Sequence, residues 1–179
     1  MSKLSDHDKA VLSCVFNPNL PLEEAINEQR ENLEDAEKLT AEEESTKQME
    51  IRAVQLAEAG RLDEGLELIN KAIQIAPKRP SLYNNRAHIY QYLRKFEDAF
   101  NDLTTAIDLS NEHHKKTLSQ AHCQRGILHK RADRMELAKV DFEIASKLGN
   151  HFAKSQLVEM NPYAALCNRM LRQVMETLK

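Results

Sequence analysis

Apolar residues recur at a helical spacing through the middle of the chain, most clearly between Pro80 and Asn111. Tyr83, Ala87 and Tyr90 share one face of the segment 82–93, and Ala99, Leu103, Ala106 and Ile107 share one face of the segment 96–109. Spacings of three and four residues stack side chains on an α-helix, so the pattern predicts two helices joined by a basic elbow at Arg94 and Lys95. Neither helix buries its stripe alone. Folded against each other they can, with Ala87 and Ala99 small enough to let the backbones approach.

The pattern recurs on both sides. Shifted back by 34 residues, Ala87, Ala99, Leu103 and Ala106 fall on Ala53, Gly65, Ile69 and Ala72. Shifted forward by 39, they fall on Gly126, Ala138, Phe142 and Ala145, while Tyr83 and Tyr90 fall on His122 and His129. An arginine precedes the small residue each time, at Arg52, Arg86 and Arg125. The helix pairs are therefore expected at 46–79, 80–113 and 119–152, with the five surplus residues of the second step, 114–118, read as an inserted polar connection. Three such pairs is the usual minimum for a stable array.

The flanks carry their own signals. Residues 1–21 predict an N-terminal helix, with Val11, Leu12, Val15 and Phe16 as its stripe and Pro18 and Pro21 as its stop. Residues 22–45 are Glu-rich and read as an acidic linker or exposed helix, a solvated charged segment, with docking against a basic body as the alternative. In 153–179 Asn161 should cap a last helix whose face of Tyr163, Leu166, Cys167, Met170, Leu171, Val174 and Leu178 covers the open edge of the array. A dimerisation helix is the alternative, and a monomer is expected over a dimer.

Composition narrows the class. Four Gly, five Pro and no Trp suit an all-α chain, and a net charge of −3 without a basic run argues against a nucleic-acid partner. Residues 1–50 hold 13 acidic and 5 basic side chains, and the remainder holds 15 and 20, so an acidic leader precedes a mildly basic body. No apolar run is long enough for a signal peptide or a membrane span, so no membrane partner is expected. Cys14, Cys123 and Cys167 are widely spaced and read as free thiols of a reducing compartment, which favours the cytoplasm and leaves the nucleus open.

A 34-residue helix–turn–helix period with small residues at the crossings resembles the tetratricopeptide repeat family. VLSCVFNPNLP, LYNNRA and FAKSQLVEMNPYAALCNRML resemble one small branch of that family over nearly the whole chain. The resemblance implies three repeats stacked as a short right-handed solenoid, with a concave groove lined by the first helix of each. It also implies a non-enzymatic cytosolic adaptor, co-chaperone-like, associated with Hsp70 and linked to tyrosine catabolism. A scaffold for a metabolic or signalling client is the alternative.

Reactive chemistry is sparse. There is no glycine-rich phosphate loop and no H-E-x-x-H, so neither an enzyme nor a cofactor is expected. His122, Cys123 and His129, with His113 and His114, are the one metal-like grouping, but His122 and His129 stand where Tyr83 and Tyr90 pack, which favours packing over ligation.

For the groove, Lys78, Arg79, Lys130 and Arg131 are expected to receive an acidic segment, with Asn84, Asn85, His88 and Tyr92 orienting it; ordinary solvated surface is the bland alternative. The carboxylate clamp by which some family members hold chaperone tails needs Lys, Asn, Asn, Lys and Arg. This chain has Glu50, Val54, Asn85, Gln120 and Gln124 there, so only Asn85 matches and no clamp is expected. The chain's own acidic leader is a candidate groove ligand, tethered at high effective concentration.

Overall fold

The computed structural model describes residues 34–36 and 41–161, and beyond them Tyr163, Leu166, Met170 and Val174. The expected N-terminal helix at 1–21, and both Cys14 and Cys167, lie outside the described residues. Among those described the regular structure is helical: α1 (Ala41–Glu58), α2 (Leu62–Ile75), α3 (Pro80–Tyr92), α4 (Phe96–Leu109), α5 (Lys115–Arg131), α6 (Met135–Lys147) and α7 (His151–Met160). The chain is all-α, a stack of helix pairs.

Leu33–Asn150 forms one compact unit in which each helix packs most extensively against its hairpin partner, α1 on α2, α3 on α4 and α5 on α6. The small residues read from the repeat sit at those crossings. Ala53, Ala72, Ala87, Ala99, Ala106, Ala138 and Ala145 are wholly buried, and so are Ile69, Leu103 and Phe142. Crossing distance is set by the absence of bulk. A Cβ on Gly65 would lie 2.9 Å from the Ala53 carbonyl oxygen, and one on Gly126 would lie 2.8 Å from the Phe142 ring.

Ion pairs lock two of the three hairpins. Arg86 donates two hydrogen bonds of 2.7 Å to Asp102, and lies over the rings of Tyr83 and Tyr90 at 5.5 and 5.8 Å. Arg125 likewise donates to both oxygens of Asp141, at 2.8 and 2.9 Å. The first repeat has Leu68 where these carry aspartate, and Arg52 there is exposed and reaches only Gln55, at 3.4 Å. Each hairpin turns through a left-handed residue at the same repeat position: Gly60 (φ 79°), Arg94 (φ 59°) and Asp133 (φ 57°).

One expectation about a boundary changes. α5 begins at Lys115, so most of the surplus stretch 114–118 is an additional first turn of a 17-residue helix rather than a connection. Beyond α7, Asn161 accepts the Tyr163 N–H at 3.1 Å, as expected for the cap of a last helix, and Tyr163, Leu166, Met170 and Val174 are helical with exposed side chains.

Candidate functional site

The first helices of the three repeats, α1, α3 and α5, contribute to one cleft of about 500 Å³. Lys47 and Glu50 reach it from α1, Asn84 and Asn85 from α3, and Gln120 from α5, with Arg79 at the head of α3. These side chains project together because residues three and four apart share a helix face.

Glu50 and Arg79 dominate its floor. The Arg79 guanidinium lies 2.9 Å from the Glu50 carboxylate, with both side chains buried, and donates to the Thr46 hydroxyl at 3.1 Å. Asn85 donates its amide to the other Glu50 oxygen. Asn84 donates to Gln120 at 3.3 Å and accepts from Gln124 at 3.0 Å, and Gln91 donates to Gln124. A buried guanidinium facing a carboxylate and a hydroxyl is compensated internally, so Arg79 and Glu50 satisfy each other at the groove floor.

The expected site is brought together only in part. Arg79, Asn84 and Asn85 line the cleft, but Arg79 is committed to Glu50 rather than presented to a ligand. Lys78, His88, Tyr92, Lys130 and Arg131 do not line it. His88 and Tyr92 stack on each other at 4.9 Å farther along α3, where burial lowers the His88 pKa against the opposing pull of Glu58. Arg131 lies 4.0 Å over the Phe96 ring, in a second cleft bordered by Phe100, Leu128 and Arg134. The basic quartet is not a cluster, for a simple reason. Equivalent helices of successive repeats run parallel, so residues at the N-terminal end of α3 and the C-terminal end of α5 stand at opposite edges of the groove. Lys116 borders the first cleft, and Lys130 is about 21 Å farther along the same helix at 1.5 Å per residue.

The residues that sequence reasoning missed come from the acidic leader and the extra turn of α5. Asp35 accepts hydrogen bonds from the backbone N–H of Lys116 at 2.8 Å and of Thr117 at 3.1 Å, and from the Thr117 hydroxyl. The next residue, Ala36, donates its N–H to the His113 carbonyl at 2.8 Å. At Asp35 the leader is therefore docked rather than solvated, and it borders the cleft itself.

The histidines of the third repeat serve its core. Asp141 lies 2.8 Å from the His122 Nδ1 and 3.7 Å from the His129 Nε2, and Phe100 meets the His129 ring edge-on. Burial pushes the Asp141 carboxyl up, but hydrogen bonds from His122 and Arg125 hold it below the usual carboxylate range. Burial, helped by Arg134 and Arg125 and opposed by Asp141, lowers the His129 pKa. Cys123 is buried and its thiol is pushed up to about 11, which makes it a poor nucleophile. Among the described residues no group of three or more His, Cys, Asp or Glu is placed to hold a metal, and no helix is long and apolar enough to cross a membrane.

Known proteins resemble this chain at two levels. The tetratricopeptide repeat model matches residues 80–113. The tetratricopeptide repeat protein 36 homolog of Drosophila melanogaster is 43% identical over 98% of this chain and 96% of its own length. Tetratricopeptide repeat protein 36 of Homo sapiens is 41% identical over 97% and 95%. Among solved structures, the first repeat domain of Spaghetti (RPAP3), bound to the HSP90 peptide SRMEEVD, is 25% identical with a TM-score of 0.59 and covers 69% of this chain and 95% of its own. The second repeat domain of human RPAP3, in complex with the HSP70 peptide SGPTIEEVD, is 26% identical with a TM-score of 0.55, covering 66% and 97%.

Proposed function

The chain belongs to the tetratricopeptide repeat protein 36 family, and from that premise we propose that it is a non-enzymatic, cytoplasmic, co-chaperone-like adaptor which receives a protein segment in its concave groove without a carboxylate clamp. One observation carries the last part. Glu50 fills the place of the first clamp lysine, and the only matching clamp residue, Asn85, spends its amide on that same Glu50. A tail carboxylate entering there meets a like charge and loses two or more charge-assisted hydrogen bonds. At about 1.5–3 kcal/mol each, the affinity falls by about a hundredfold or more.

The structural neighbours named with HSP90 and HSP70 tail peptides support a peptide-holding groove. They support it as a shape. Association with Hsp70, expected from the family resemblance, then uses another part of the chaperone or another surface of this protein. The link to tyrosine catabolism is the same kind of expectation, with a client enzyme as the held protein.

Calorimetry with SRMEEVD and SGPTIEEVD tests the groove chemistry. No micromolar binding is expected; micromolar affinity that disappears in Asn85→Ala overturns the reading. Pull-down of full-length Hsp70 under ATP and ADP tests the association, which should report the nucleotide state. A partner captured equally with and without Hsp70 favours the scaffold alternative.

A further inference from the structure

Asp35 is a carboxylate already seated in the groove. It lies against the first turn of α5, where backbone N–H groups have no helical acceptor and the helix dipole favours negative charge. Two of those N–H groups and the hydroxyl of Thr117, a residue only 2% exposed, converge on its two oxygens. The surroundings extend beyond one aspartate. The cleft of about 500 Å³ next to it is bordered by Lys47 and Lys116, which make no ion pair among the described residues, and by Ser81, whose buried hydroxyl has no hydrogen-bond partner. Asp35 uses none of these three. The segment 34–36 is not part of a helix, and beside the carboxylate it is tied by the single backbone bond from Ala36 to His113.

We propose that the first turn of α5 is a carboxylate-binding subsite of the groove, filled in the resting chain by Asp35 and taken over by an acidic segment of a protein partner. The proposal rests on the reading of the groove as the partner surface. A longer acidic segment would keep the bonds that Asp35 makes and add contacts to Lys47, Lys116 and Ser81, which the chain's own segment leaves unused. The occupant in cis lies within a few residues of α1, so its effective concentration is high and the subsite is masked until a better ligand displaces it. A subsite closed nine-tenths of the time lowers apparent affinity about tenfold.

The test uses the full-length protein and, as probe, a fluorescein-labelled peptide with the sequence of residues 31–40 of this chain. Anisotropy should show binding to Asp35→Ala at least about tenfold tighter than to the wild type. A probe with alanine in place of its aspartate should not bind, and Thr117→Val added to Asp35→Ala should weaken the intact probe. Amide shifts of Lys116 and Thr117 on titration would place the probe at the subsite. Equal binding to wild type and Asp35→Ala, with both proteins folded by circular dichroism, overturns the proposal. So does a fall in melting temperature of Asp35→Ala without any gain in probe binding, which is the signature of a purely structural cap. If the probe behaves as expected but Hsp70 capture is the same for wild type, Asp35→Ala and the double variant, the subsite stands for the chain's own segment. Use of the subsite by Hsp70 is then overturned, while the groove reading, under which Hsp70 holds another surface, stands.

Discussion

The pair Gly126 and Phe142 shows how single positions set the hairpin spacing. In the second repeat the same places hold Ala87 and Leu103, so the third has exchanged a methyl on one helix for a larger ring on the other. Gly126→Ala forces its Cβ into that ring and should cost about 1–3 kcal/mol, read by urea unfolding. Adding Phe142→Leu recreates the second repeat's pairing and should recover much of the loss. Simple addition of the two costs would show that the positions are not coupled. His129 gives the residue-scale pH dependence. Its pKa is lowered in the folded chain, so the unfolded chain binds more protons below the ordinary histidine value of about 6.5, and stability should fall as pH drops from there. Asp141, depressed as well, extends the loss to lower pH, as its carboxylate protonates. His129→Tyr, the counterpart of Tyr90, should shrink the difference between denaturation midpoints at pH 7.5 and 5.5. An unchanged difference would assign the acid sensitivity elsewhere.

At the scale of elements, the turns and α5 behave differently from what their residues advertise. Arg94 and Asp133 adopt the left-handed conformation that Gly60 adopts without a steric penalty. Arg94→Gly should therefore stabilise the protein, by about 1 kcal/mol, seen as a raised denaturation midpoint. A loss would mean that the arginine side chain contributes more than its backbone strain costs. The helix crossings were legible in the sequence because the small residues recur at a fixed interval and each hairpin is a local structure. The start of α5 was not. A repeat alignment absorbs the residues 114–118 as a gap, and nothing in their polar composition marks them as helix. Asp35 was hidden for a second reason: its main partners are backbone N–H groups some eighty residues away, which carry no side-chain signature. Arg79 looked like a surface cation because its partner Glu50 lies on α1, on the far side of the first hairpin, and such a pairing leaves no periodic trace.

Across the repeat unit, stability should be graded. The second and third hairpins carry the arginine–aspartate lock and the first does not, since Leu68 replaces the aspartate. In an array whose stability is a sum of repeat and neighbour terms, the weakest hairpin opens first. Amide hydrogen exchange should find α1 and α2 less protected than α3 and α4, and equal protection would discount the lock.

The contact between Glu50 and Arg79 has one more consequence, for how such a groove could change over evolutionary time. Glu50 belongs to α1 and Arg79 to the head of α3, so the contact bolts one repeat to the next as well as filling the floor. A lineage that replaced Glu50 with lysine to admit a chaperone tail would leave Arg79 buried against a like charge and loosen the joint between repeats. Ligand preference and the set of the array are thus inherited together at this position. A path toward tail binding must first relocate or remove Arg79, so the order of substitutions, and not only their number, is constrained.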